Sequence, residues 1–270
     1  MGGGKTGPQV NMRTRLPYPR KFRLFMQDVS LADLLKSGAH FGHKSSRWNP
    51  KMKPFIYGHR NNIHIFDLEK TRERLKDILQ VAKDIVTKGG IILFVGTKKQ
   101  ARAAVRAAAE SCGMPYVTER WLGGTFTNFR TIQKSMKKLE KLESLKTTSD
   151  IEAYTKKEKL LMEREITKLR RLFSGVETMK TLPGAIFVLS AHHDRIAINE
   201  ANRMKIPVIA VVDSNADPVG VSHVIPGNDD SVQAITLFAN LFAQAVVEGK
   251  HAATAALVPP AAKPEAVAAK

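Results

Sequence analysis

The chain has 270 residues, 43% of them hydrophobic, enough to bury the core of one α/β domain carrying an insertion. Its 43 Lys and Arg against 25 Asp and Glu give a net charge of +18, so polyanions are the expected partners. Apolar runs such as 91–95 and 208–212 fall far short of the roughly 20 residues of a membrane span, and the single Cys112 excludes an intrachain disulfide, so a soluble protein of a cytosol-like compartment is expected.

Residues 1–27 carry Lys5, Arg13, Arg15, Arg20, Lys21 and Arg23 ahead of the first acid, Asp28. Pro8, Pro17 and Pro19 oppose a continuous amphipathic helix and no serine occurs there, so a flexible basic arm is expected rather than an organelle presequence; no apolar run marks a secretion signal. Ser30 is placed to cap a short helix, with Gly38 at its stop. A loop-rich basic stretch runs to Arg60, followed by a strand at 63–66 and a helix whose apolar positions Leu68, Leu75, Ile78, Leu79, Ala82, Ile85 and Val86 end at Gly89 and Gly90. The continuous apolar run 91–95 reads as a strand buried on both faces, and Gly96-Thr97 leads into an Ala-rich helix at about 98–110. Further strands are expected at 114–117, 185–189, 208–212 and 224–225, with helices near 195–204 and 230–247. Such alternation implies an α/β, doubly wound, mostly parallel sheet covered on both faces.

Between 129 and 175 the pattern changes: Ile132, Met136 and Leu139 keep heptad-like spacing, as do Met162, Ile166, Leu169 and Phe173. Ser149 and Glu152 have capping-box spacing for the second arm. A coiled-coil-like antiparallel helical hairpin is therefore expected, inserted between sheet-domain segments 28–128 and 176–247. Residues 248–270 are mostly Ala, Pro, Val and Lys and read as a disordered tail.

Gly96-Thr97-Lys98-Lys99-Gln100 sits where doubly wound folds hold phosphate, but both GxxxxGK[ST] and GxGxxG are absent. A tight turn with two solvated lysines is preferred over a nucleotide site. His40, His43, His59, His64, His192 and His193 lack HExxH spacing and a lone cysteine cannot build a typical structural zinc site, so no metal or cofactor is expected. Asp213, Asp217, Asp229 and Asp230 follow strands at the expected carboxyl edge, where paired acids could bind magnesium or exchange protons. Asn215 and Pro218 mark turn chemistry there and Asp229-Asp230 sits where a helix cap belongs, which favours structural roles.

The expected nucleic-acid contacts are cations. Lys134, Lys137, Lys138, Lys141, Lys156, Lys157, Lys159, Arg164, Lys168, Arg170 and Arg171 are interleaved with Glu140, Glu143, Glu158, Glu163 and Glu165 on the 129–175 arms; much of this reads as ordinary solvated helix surface, but the excess of base favours an RNA-facing side. Arg47, Lys51, Lys53, Arg60, Arg120, Trp121 and Arg130 mix cations with aromatics in segments punctuated by Gly or Pro; arginine forks onto phosphate and aromatics stack on bases, although a core tryptophan explains Trp121 equally well. With Lys98, Lys99, Lys134, Lys137 and Lys138 these form the expected RNA-binding set. Two rival readings are an enzyme that takes a sugar phosphate or nucleotide at the Gly96 loop, and a helical adaptor that binds only protein.

The stretch LLKSGAHFGHKSSRWNPKMKPFIYGHRNNIHIFDLEKT at 34–71 closely resembles the N-terminal signature of the bacterial-type small-subunit ribosomal protein S-two family. FVGTKKQA at 94–101, RWLGGTFTNFRTI at 120–132, PGAIFVLSAHHDRIAINEANRMKIPVIAVVDSNADP at 183–218 and VIPGNDDSVQAI at 224–235 recur in the family's order, so the resemblance spans about 28–247. The resemblance implies a Rossmann-like sheet domain with a protruding helical hairpin and no catalytic residues, cofactor, small-molecule substrate or membrane partner. It also implies a cytoplasmic ribosomal location, with an organelle ribosome left open, on the solvent side of the small subunit near the head-body junction. There the family touches 16S-type small-subunit rRNA and neighbouring small-subunit ribosomal proteins, and helps to hold ribosomal protein S-one for messenger recruitment. Ser190 and Val219 stand where the family usually has Asp, and the extension before Asp28 is longer than usual.

Overall fold

The structure, a computed structural model, describes residues 29–147, 154–177 and 179–257. The basic arm at 1–27, the Ser149/Glu152 cap and residues 258–270 of the expected tail lie outside them.

The first helix, α1 (Leu31–Lys36), begins as expected, with Ser30 Oγ accepting from the Ala32 N–H. The stretch read as loop then holds two strands, β1 (Phe41–Lys44) and β2 (Ile56–Arg60), separated by 3₁₀ turns at Ser45–Arg47 and Pro50–Phe55. Both pair antiparallel with β3 (Ile63–Phe66) in a three-stranded sheet of order β1-β3-β2. The expectation of irregular chain up to Arg60 is thus corrected. Both pairings shift register within four residues, and the strands carry Gly42, His43, Gly58 and His59, so no apolar alternation marks them.

The second sheet is built from the apolar runs. Helix α2 (Leu68–Thr87), capped by Asp67, leads to β4 (Ile92–Val95), α3 (Arg102–Cys112) and β5 (Tyr116–Val117). Then come α4 (Phe129–Thr147), α5 (Lys156–Phe173), β6 (Ala185–Val188), α6 (Arg195–Arg203), β7 (Val208–Val212), β8 (His223–Pro226) and α7 (Val232–Leu257). All five strands are parallel in the order β5-β4-β6-β7-β8. Counted within this sheet the order is 2-1-3-4-5, the doubly wound arrangement.

Residue alternation along the strands divides the core. Ile92, Phe94, Ala185, Phe187, Ile209 and Val211 face the cluster built with α2, α3 and α7. Leu93, Val95, Ile186, Val188, Val208 and Ala210 face the cluster that includes Met52, Phe66 and residues of α4, α5 and α6. On the first face the Phe187 and Phe242 rings stack at 3.9 Å and 6°, with Phe94 edge-on to both.

Helix α5 begins at Lys156, with Thr155 and Glu158 forming a capping box. One boundary differs from expectation. Helix α7 runs ten residues past 247, so 248–257 is helix rather than tail. Gly249, which looks like a helix stop, is a packing residue: a Cβ there would meet Lys83 O of α2 at 2.9 Å. Lys83–Glu248 (2.7 Å) and Lys250 Nζ, which donates to Cys112 O (2.6 Å), tie this extension to α2 and to the end of α3. Helix α7 is long and apolar enough to cross a membrane, but Phe238, Phe242 and Val246 are fully buried in the core, as befits a core helix.

Candidate nucleic-acid interface

The carboxyl edge of the parallel sheet, around the switch point between β4 and β6, is where doubly wound folds take ligands. The residues there satisfy one another. Asp194, nearly fully buried, accepts from Thr97 N (3.3 Å) and Thr97 Oγ1 (2.5 Å), so a carboxylate already uses the backbone donor that a phosphate would need. Burial pushes the Asp194 carboxyl above the ordinary aspartate range, against the pull of the Thr97 hydrogen bonds. Gly96 is explained by packing, since a Cβ there would clash with Val105 of α3. These features give Gly96 and Thr97 structural roles, which favours the tight-turn reading of the loop over a nucleotide site.

Beside it lie His43, Asp213, Asp229 and Asp230, whose donor atoms are within 4.8 Å of one another. Their charge is balanced by side chains. Lys98 Nζ sits 2.7 Å from Asp229 and 2.8 Å from Asp230, while His43 reaches Asp213 through Nδ1 (3.1 Å) and Asp230 through Nε2 (3.2 Å). Ser190 Oγ donates to Asp229 (2.6 Å), supplying a hydroxyl where the resemblance leads one to expect another carboxylate. The Asp213 hydrogen bond, with the charges of Asp213, Asp229 and Asp230, raises the His43 pKa despite burial. Burial and the neighbouring Asp213 raise that of Asp229, with Lys98 and Ser190 opposing. Sequence spacing could not reveal this cluster, because its members come from β1 and from the ends of β7 and β8.

The cluster also docks the first sheet. His43 N donates to Ser214 Oγ (2.8 Å), Asn49 N donates to Ser214 O (2.8 Å), and Lys51 pairs with Asp217 (2.9 Å). The basic stretch is thereby held on the sheet edge with Arg47, Lys53 and Arg60 exposed.

A second device holds the segment from Arg120 to Arg130. Glu200 of α6 accepts from Trp121 Nε1 (3.3 Å), Gly124 N (2.7 Å), Phe126 N (2.9 Å), Thr127 N (3.3 Å) and Thr127 Oγ1 (3.4 Å). Burial works against the Glu200 carboxylate, yet the donors from Phe126, Gly124, Thr127 and Trp121 outweigh it and hold its pKa below the ordinary glutamate range. Trp121 is only 7% exposed and packs edge-on against Phe126. Its ring and its N–H are both used inside the fold, which favours the core role that the sequence left open beside base stacking. Glu200 was missed because a lone acid on a helix reads as solvated surface.

Ion pairs then sort the expected cations. Lys98 belongs to the Asp229/Asp230 pair, Lys51 to Asp217, and Lys138 to Glu165 across α4 and α5 (2.5 Å). Lys146–Glu163 (3.0 Å) and Arg170–Glu143 (2.6 Å) join the same two helices, beside buried Leu139 and Ile166. Among the described residues, Arg47, Lys53, Arg60, Lys99, Arg120, Arg130, Lys134 and Lys137 are exposed or half-buried and enter none of these pairs. They are not gathered at one spot: Arg47 and Lys53 lie in the 3₁₀ turns between β1 and β2, Arg60 ends β2, Lys99 follows β4, Arg120 follows β5, and Arg130, Lys134 and Lys137 lie on α4.

Comparison with known proteins bears on this surface. The family profile described as Ribosomal protein S2 matches residues 34–249. A relative named Small ribosomal subunit protein uS2, from a Nitratiruptor species, is 48% identical over 223 residues, which is 83% of this chain and 84% of the relative. Relatives of the same name are 49% identical over 228 residues in Dichelobacter nodosus, covering 84% of this chain and 85% of the relative, and 50% identical over 224 residues in Bradyrhizobium diazoefficiens, covering 83% and 68%. The chain belongs to the ribosomal protein S2 family.

Proposed function

We propose that this protein is a non-enzymatic structural constituent of the small ribosomal subunit, in the cytoplasm, that docks on 16S-type rRNA near the head-body junction. It supports subunit assembly, contacts neighbouring small-subunit proteins and helps to seat ribosomal protein S-one. The observation that carries the reading is the separation of cations into two classes. Those near acids are consumed in holding the fold, while Arg47, Lys53, Arg60, Lys99, Arg120, Arg130, Lys134 and Lys137 reach solvent outside the ion pairs found among the described residues. Solvent-facing cations outside ion pairs, on a chain of net charge +18, are the electrostatic footprint of phosphate binding. Family membership supplies the ribosomal context.

Sucrose-gradient sedimentation of cell extract at low and high salt tests this. The chain is expected to travel with small-subunit rRNA and to loosen as salt rises, since displaced counterions reward each phosphate contact. A free, low-mass peak at both salt concentrations would sink the proposal.

A further inference from the structure

Strands β2 and β3 place two histidines directly opposite each other. His59 pairs with His64 in the antiparallel ladder, flanked by the Gly58–Ile65 and Arg60–Ile63 pairs, so the two side chains leave the same face of the sheet. Their ring centroids are 6.5 Å apart, with the planes at 66°. The surroundings of the two rings differ. His59 is exposed, whereas His64 is nine-tenths buried and neither its Nδ1 nor its Nε2 has a hydrogen-bond partner among the described residues. Trp48, whose ring centroid lies 5.2 Å from that of His64, has a buried Nε1 that is likewise without a partner there. Buried polar atoms are nearly always satisfied, so bare ones gathered around a single imidazole mark a place for a ligand. Burial, with the neighbouring His59, lowers the His64 pKa, which keeps the ring neutral at pH 7 and one nitrogen lone pair free.

We propose that His59 and His64 together bind a divalent transition-metal ion of the zinc and copper class. Imidazole nitrogen suits these ions, whereas magnesium and calcium call for oxygen ligands. Two rings that share an ion at about 2.0–2.1 Å from each nitrogen have centroids about 5–6 Å apart, so an inward turn of the exposed His59 ring by about 1 Å closes the site. The remaining coordination positions take water, which gives the Trp48 N–H an acceptor. This pair shares no residue with the group of His43, Asp213, Asp229 and Asp230, where Lys98 already balances the acids. A lone ordered water beside His64 is the rival occupant, and it predicts no response to metal.

Copper(II) titrated into the isolated full-length protein, read by tryptophan fluorescence, tests the assignment, because a paramagnetic ion held by the pair stands close to Trp48. The emission of the native protein should fall saturably. Trp48→Phe should remove that fall and leave the emission of Trp121, packed against Phe126 in the core, unchanged by copper. His59→Ala, a change at an exposed position, should keep the metal-free melting temperature and weaken the apparent affinity by about tenfold or more, since losing a ligand costs at least as much as losing an outer partner. His43→Asn should leave the affinity unaltered. Quenching that survives His59→Ala, or that vanishes with His43→Asn instead, overturns the proposal. So does the lack of saturable quenching, the result expected if only water lies beside His64. Binding is read on the free protein, so its failure leaves the proposed ribosomal role untouched.

Discussion

At the scale of single residues, burial decides what a side chain can do more firmly than its type. Cys112 is buried at the end of α3, and loss of solvent pushes its thiol up to about 11 despite nearby Lys250. A thiol-reactive dye at pH 8 should therefore leave the native protein unlabelled and react fully once denaturant unfolds it, because the thiolate is the nucleophile; rapid labelling without denaturant would contradict the assigned burial. Glu200 is the opposite case, a buried acid kept charged by the N–H groups around it. Glu200→Gln removes that charge and turns an amide NH2 toward donors, which should cost about 2–4 kcal/mol in a denaturant melt at pH 7. Because the folded pKa is depressed, the native stabilisation is present above the unfolded glutamate value of about 4.3 and is lost as pH falls through the folded pKa. The gap between native and variant should close in that acidic range.

Among elements, legibility follows how local the stabilising pattern is. Strands β4, β6 and β7 are evident from sequence because a strand buried on both faces must be apolar throughout. Strands β1 and β2 are not, since their order comes from irregular pairing with β3, and β1 is held further by Ser214, 171 residues from His43. The end of α7 is hidden for a similar reason: Ala-rich composition looks like tail until Lys83 and Cys112 supply partners. Of the expected contacts, the solvent-facing arginines and lysines could be read from charge alone, whereas Trp121, Lys98 and Lys138 required knowledge of which acid or ring stands opposite. The docking of the first sheet carries its own pH signature. His43 faces Asp213, Asp229 and Asp230, with Lys98 on the far side of the same acids, and its pKa is raised. Its contribution is thus fully present below about pH 6.5 and lost as pH rises through the folded pKa. Thermal melts across that window should show the native protein losing on the order of 1–2 kcal/mol more than His43→Asn, the worth of one charge-assisted hydrogen bond. Equal losses in the two proteins would remove His43 from the docking contact.

For the molecule as a whole, the solvent-facing cations form a dispersed coat on a scaffold whose internal charges are already matched. Affinity for rRNA should accordingly be the sum of many small contacts. Replacing Arg120 and Arg130 together by Ala should leave the melting temperature unchanged. The same change should reduce the slope of log affinity against log salt by about 1–2, close to one unit for each lost phosphate contact. An unaltered slope would take both residues out of the interface. The placement of α7 adds an order of events. Phe242, which stacks on Phe187 and meets Phe94 edge-on, belongs to α7, so the side of the sheet that α7 shares with α2 and α3 is only partly covered until that helix exists. During synthesis, which proceeds from the N-terminus, the strands emerge well before α7, and a chain interrupted near Gly227 would leave Phe94 and Phe187 without the Phe242 ring that packs on them. Such a fragment should aggregate or be held by chaperones, so closure of this core waits on the docking of α7.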